Sequence, residues 1–420
     1  MPSDVAATSA TPPTAAPPGA PILAIVGLAL ASMGTGATLR VCDALLPRLA
    51  QDFGVPLGQA AQVITVFAVA YGLSQLLFGP MGDRFGKYRV VGWACAASAL
   101  ASALCAAAPG FASLMAGRLL AGVAAAAVIP LSMAWIGDNV PYAQRQTVLA
   151  RYLIGQLSGF AMGVWLGGYA AEHLHWRLPF ALLALLFGGL AMLLPWVRAR
   201  LPASASRTSP PAESGAAPLW RRVLAEFQAV FAEPWARVVL LAVAGEGAAF
   251  FGAFAFVASH LHQQLAMPLS TAGALVMLFA AGGLGFALAA HHLVPRLGQV
   301  QLVRWGAVLM ATAFAAIALA QVVWVAALAN VAMGLGFYMM HNTLQTHGTQ
   351  MAPERRGAAL AAFAGVFFIG QSLGVAAAGW MVGRAGTGWV LAAGAAGVLA
   401  TAWAFNRNLS QTVAGPAATA

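Results

Sequence analysis

The sequence predicts an all-α membrane protein of twelve transmembrane helices, arranged as two parallel six-helix repeats. Three observations carry that expectation. Of the 420 residues 61% are hydrophobic and only 8% are charged, at a mean hydropathy of +0.80, far too apolar for a soluble domain wrapped round one core. Twelve apolar runs are long enough to cross a bilayer, which takes ~20 residues because lipid offers nothing to satisfy an exposed backbone. The second half of the chain also repeats landmarks of the first at an offset of 211 residues.

In chain order, residues 1–20 are rich in Pro, Ala, Ser and Thr and carry no basic flank, so they read as a disordered cytoplasmic tail before an uncleaved first span. An N-terminal six-helix half, 21–200, holds spans near 21–48, 58–78, 90–108, 111–137, 146–172 and 178–197. Residues 201–218 resemble the tail in composition, and 201–235 reads as a cytoplasmic linker. The C-terminal half, 236–406, holds spans near 236–262, 269–294, 301–320, 322–346, 357–382 and 387–405, and 407–420 reads as a second cytoplasmic tail.

Orientation follows from the basic residues, which accumulate in short cytoplasmic loops. With the N-terminus inside, one side collects Arg84, Lys87 and Arg89; Arg145 and Arg151; Arg198, Arg200, Arg207, Arg221, Arg222 and Arg237; Arg296 and Arg304; Arg355 and Arg356; and Arg407. Both termini are therefore expected in the cytoplasm and the chain in the cell's inner membrane. The formal charge of +10 is topological and leaves no folded basic surface for nucleic acid. Cys42, Cys95 and Cys105 fall within spans and read as small apolar packers. No metal or cofactor signature and no nucleophile, base and orienter cluster appears, which argues against an enzyme.

The repeat is explicit in the fifth and eleventh spans. A shift of 211 lays Arg145 on Arg356, Gly159 on Gly370, Gly163 on Gly374 and Gly168 on Gly379, and a shift of 212 lays Arg84 and Gly86 on Arg296 and Gly298. Parallel six-span repeats with a pathway between them are an arrangement used by alternating-access transporters.

Residues 79–89, GPMGDRFGKYR, place Asp83 and the bases Arg84, Lys87 and Arg89 among Gly79, Gly82 and Gly86 between the second and third spans. This segment resembles the signature loop of the major facilitator superfamily. GRLLAGVAAA in the fourth span, with Arg118 and Gly122, resembles the arginine motif of that superfamily's drug:proton antiporters, although Ala121 replaces a common Gln. GFAMGVWLGG in the fifth resembles their helix-packing antiporter motif through Gly159, Gly163, Gly167 and Gly168, with Val164 in place of the usual Pro. The resemblance covers nearly the whole chain. It implies a cytoplasmic gate in which Asp83 meets the start of the eleventh span, near Arg356 and Gly357, when that side closes. The dipole of a helix N-terminus favours such a carboxylate, and Arg145 is placed to join the cluster.

Arg40 and Asp43 in the first span, Arg118 in the fourth and Glu246 in the seventh are ionisable residues inside spans. Each costs ~2.5–3.5 kcal/mol at a helix centre and so belongs in a polar cavity or beside a partner. Counting along the helices puts Asp43 and Arg118 at similar depth, in reach of each other across the first half, while Arg40 and Asp43 also stand at pairing i, i+3 spacing. Asp43, Glu246 and Arg118 are the candidates for proton or substrate coupling, with Arg40 and His341 as further members. His173, His175, His260 and His262 sit at outer span ends, where solvated surface is the simpler reading. Aromatic and Met side chains gather in the seventh span (Phe250, Phe251, Phe254, Phe256), the tenth (Phe337, Tyr338, Met339, Met340) and the eleventh (Phe363, Phe367, Phe368). Facing the centre, they would form an adaptable surface for amphipathic solutes; facing lipid or one another, they are ordinary packing.

The expected function is secondary active transport by alternating access, with protons driving efflux of small amphipathic compounds through a monomer. A proton-linked transporter of a metabolite such as a sugar or amino acid is the alternative within transport. A non-transporting membrane sensor is the alternative outside it, and it gives little reason for intramembrane charge.

Overall fold

The computed structural model describes residues 21–201 and 219–414, and every regular element in them is helical. The tail 1–20, most of the linker's Pro- and Ser-rich stretch and residues 415–420 lie outside the described residues. Ten segments are long and apolar enough to cross a membrane. One of them, Leu269–Ala318, is two passes, because its helix breaks at Gly298, where φ is 66° and ψ 173°. Tyr142–His173 adds another pass: its 32 residues are ample length, although its glycines, Arg145 and Arg151 dilute its hydropathy. The twelve expected passages are thus present among the described residues. The linker contributes an amphipathic helix, Leu219–Ala232, and the last span continues as helix to Ala414.

Backbone geometry repeats along with the sequence. Gly86 and Gly298, which end the second and eighth spans, both take positive φ, at 90° and 66°, a turn only glycine adopts without strain. The first span is interrupted between Ile22–Arg40 and Leu46–Phe53, and there the Leu45 amide bonds the Cys42 carbonyl at 3.1 Å. The residues 211 further on do the same, the Phe256 amide bonding the Ala253 carbonyl at 3.0 Å. Such i→i+3 bonds tighten a helix locally and mark a bend.

Within each half, the first span of the repeat packs against the fifth. Gly159 and Gly163 ride on the carbonyls of Met33 and Ala37, and their equivalents Gly370 and Gly374 ride on those of Ala244 and Ala248. Any side chain at these four places would collide with backbone, so the glycines set how near the helices approach. Gly167 meets the Val41 carbonyl in the same row.

Between the halves, the second span packs on the eleventh and the fifth on the eighth. These seams are tight at the end opposite the 79–89 loop, called here the far end. Gly58 abuts Gly379 there, and Gly168 abuts Leu269 and Gly273. The two contacts are images of one another, since 58 maps to 269 and 168 to 379 under the offset of 211. Gly168 therefore works between the halves, unlike the other glycines of its motif. Glu172 caps the seam by accepting bonds from the Ser270 amide (2.9 Å) and hydroxyl (2.5 Å). Toward the basic end the seam loosens: Gly72 still touches Gly365, but beyond it a side chain on Gly79 or Gly357 would meet open space. The halves are packed most closely at the far end.

Candidate functional site

The intramembrane charges lie where the halves converge below the closed far end. Arg40 and Asp43, both buried, form an ion pair at 3.5 Å, Arg40 at the last helical residue before the interruption of the first span and Asp43 within it. Arg40 also crosses to the other half. Its guanidinium lies 3.8 Å from the centroid of Phe251 and 5.7 Å from that of Phe254, and it donates a long 3.4 Å hydrogen bond to Oε1 of Gln371. Phe160 of the fifth span flanks it at 5.7 Å. Arg40 and Phe251 occupy equivalent repeat positions, as do Phe160 and Gln371, so one cation is held at the join of the pseudo-symmetric halves.

Of the two partners in reach of Asp43, Arg40 takes it and Arg118 does not. Arg40, on the same helix, already holds Asp43, while Arg118 turns to backbone, donating to the Thr38 carbonyl (3.1 Å) and the Val63 carbonyl (3.2 Å) and lying 4.2 Å from the Phe67 ring centroid. Arg118 thereby ties the first, second and fourth spans together. A guanidinium has five N–H donors, of which the two carbonyls engage Nε and Nη1 while the buried Nη2 has no hydrogen-bond partner among the described residues.

Glu246 is fully buried at the last α-helical residue before a π-helical turn, Gly247–Phe251. Such turns insert an extra residue and re-aim side chains, and they cluster at functional sites. Its Oε2 is 2.7 Å from Nδ1 of His341 in the tenth span, whose side chain keeps 17% of its surface exposed, and its Oε1 has no partner. The imidazole stacks on Phe337 at 5.0 Å and contacts Phe363 and Phe367. Phe250, Phe251, Phe254 and Phe279 continue these rings as one aromatic wall. Most of the aromatic residues gathered by sequence are thus in mutual contact, whereas Met339 packs in a separate cluster with Phe286 and Leu302. A carboxylate sealed behind an imidazole in apolar surroundings can pass a proton between its own oxygen and solvent through the ring.

The candidate gate residues are spread out. The Asp83 side chain is 65% exposed and lies 3.9 Å from Lys87, which also pairs with Asp138. Arg145 donates to the Val140 carbonyl at 3.4 Å. At the head of the eleventh span Arg355 pairs with Glu226 of the linker helix at 2.9 Å. Among the described residues Asp83 makes no ion pair or hydrogen bond with Arg356 or Gly357. His260 is not solvated surface: it is buried and shares a 2.8 Å hydrogen bond with Thr387. Gln371, Phe160 and Phe279 escaped the sequence reading. The repeat was the available signal for the first two, since each is the other's equivalent.

A small crevice between the fifth and eighth spans, lined by Arg40, Phe160, Val164, Phe254, Val276 and Phe279, adjoins the centre.

Comparison with known proteins agrees with this fold. The multidrug export protein EmrB of Escherichia coli (strain K12) is 30% identical over 155 residues, 37% of this chain and 30% of its own length. The puromycin resistance protein pur8 of Streptomyces alboniger is 35% identical over 153 residues, again 30% of its own length, so the chain matches less than a third of either exporter. A MFS-type transporter of Bacillus subtilis (strain 168), YceJ, is 26% identical over 277 residues, 65% of this chain and 67% of its own. Among solved structures, the nucleoside transporter NupG superposes with a TM-score of 0.69 at 15% identity, covering 91% of this chain and 98% of that one. A bacterial homolog to the human lysosomal transporter Spinster, in an inward-facing and occupied conformation, gives 0.70 at 18% identity, covering 92% and 96%. Residues 24–375 match the Major Facilitator Superfamily, and the chain belongs to that family of secondary transporters.

Proposed function

We propose that the protein is a proton-coupled exporter of small amphipathic compounds working by alternating access. The basic end faces the cytoplasm, with both termini on that side of the inner membrane, and the molecule works as a monomer. The observation that carries this reading is the Glu246–His341 pair: a fully buried carboxylate, 2.7 Å from a partly exposed imidazole, set in a wall of phenylalanines. The carboxylate and imidazole handle the proton, and the rings supply an adaptable apolar surface for solutes of varied shape. Partial matches to EmrB, pur8 and the fatty acid resistance protein FarB of Neisseria gonorrhoeae, 32% identical over 150 residues, support efflux.

The Arg40–Asp43 pair serves this cycle by joining the two halves and Arg118 by tying the first half together, and Asp83, Arg84, Lys87, Arg145 and Arg356, with the glycines 79, 82 and 86, form the cytoplasmic gate when the basic end closes. The test is collapse of a pH gradient in proteoliposomes on adding lipophilic cations, neutral drugs, amphipathic acids, sugars or amino acids in turn. Collapse by the amphipathic compounds is expected. Collapse by sugars or amino acids alone assigns a metabolite transporter, and collapse by none of the panel contradicts proton-coupled efflux.

A further inference from the structure

We propose that an anionic phospholipid seats its headgroup at the basic end of the first half, on Arg84, Arg89, Arg198 and Arg200. The third and sixth spans run antiparallel here and touch where Gly92 faces Leu194 at 3.9 Å. Arg89 lies three residues toward the basic end from Gly92, and Arg198 four from Leu194, so at 1.5 Å per residue their backbones are level to within ~2 Å. Aromatic side chains frame this level. Trp93 and Trp196 are 44% and 49% exposed, while Val91, Leu194 and Val197 beside them are buried, so the indoles stand on the outer, lipid-side face of the helix pair.

The arginines stack on that frame. Arg89 lies 4.8 Å from the Trp93 centroid, Arg200 3.5 Å from Trp196 and Arg84 5.2 Å from Phe85, whose ring meets Trp93 at 5.6 Å. Among the described residues none of these four arginines has an ion pair; nearby Asp83 and Asp138 are both engaged by Lys87. Arg89 and Arg198 stand at one level, with Arg84 and Arg200 stacked on the adjoining rings and no carboxylate paired to any of the four among the described residues. Set above two indoles at the place of a glycerol backbone, they match a phosphate diester with acyl chains running down the helices. A zwitterionic headgroup brings its own cation and loses that match. The far end offers a contrast in Arg384, which stacks on Trp380 at 4.1 Å as an isolated pair.

The experiment is native mass spectrometry of the full chain in detergent, titrated separately with phosphatidylglycerol and phosphatidylcholine. The wild type is expected to retain phosphatidylglycerol preferentially, the double variant R89Q/R200Q to lose that preference roughly tenfold, and R384Q to keep it. No preference in the wild type, an undiminished preference in the double variant, or an equal loss in R384Q overturns the site. If the double variant melts early in phosphatidylcholine, R89Q and R200Q singly decide the question in the same assay.

Discussion

The guanidinium of Arg40 lies 3.8 Å from the ring centroid of Phe251, joining two positions that the internal repeat makes equivalent. Neither half supplies both partners, so the contact exists only while the halves converge at the far end. Asp43 competes for the same cation from within the first half, at 3.5 Å.

A desolvated cation–π contact is worth about 2 kcal/mol, which corresponds to roughly a thirtyfold shift between two conformations. Arg40→Gln should therefore weaken far-end closure. Spin labels at Leu174 and Gln264, across the far face, are expected to show a new population at longer separation. An unchanged distance distribution contradicts the role.

The glycine rows separate two kinds of contact. Gly159→Val forces a side chain into the Met33 carbonyl within one half and should lower thermal stability, by about 1–3 kcal/mol as overpacking does. Gly168→Val and Gly379→Val press instead on the other half, at Leu269 and Gly58. They should leave melting nearly unchanged while reducing turnover several-fold and displacing the conformational balance from far-end closure. Equal melting losses in all three variants contradict the distinction.

Asp83→Ala removes a largely exposed carboxylate whose proposed partner is reached only when the basic end closes. Turnover should fall roughly tenfold with substrate affinity retained. Equilibrium binding beside initial transport rate checks this, and lost binding with normal turnover contradicts it.

Asp43→Asn and Arg118→Ala should both yield inserted protein with proton-driven transport abolished, for different reasons. The first leaves Arg40 without its carboxylate; the second leaves the Thr38 and Val63 carbonyls without their donor and loosens the first half. Thermal melting should drop for both, since each change leaves a buried polar group without its partner, and an unchanged melting temperature in either variant contradicts its structural role.

Composition and the repeat were enough for the architecture, because apolar runs and glycine landmarks are properties of the chain itself. The i, i+3 pair of Arg40 and Asp43 was legible for the same reason. Glu246 and His341 were each legible as unusual residues, but their pairing joins positions 95 residues apart and appears only once the seventh and tenth spans pack. Arg118 was legible as an intramembrane charge within reach of Asp43, but its turn to the Thr38 and Val63 carbonyls was not, because backbone carbonyls carry no residue signature. Gly168 could not be told from Gly159, since both read as small residues on one helix, and only the placement of the second half shows which neighbour each meets.

The most direct test compares substrate exchange without a gradient with accumulation driven by a pH gradient, in proteoliposomes bearing Glu246→Gln or His341→Gln. Both variants are expected to keep exchange within a few-fold of wild type and to lose gradient-driven accumulation. Accumulation at the wild-type level in Glu246→Gln would contradict the assignment of the buried carboxylate and its imidazole as the coupling site.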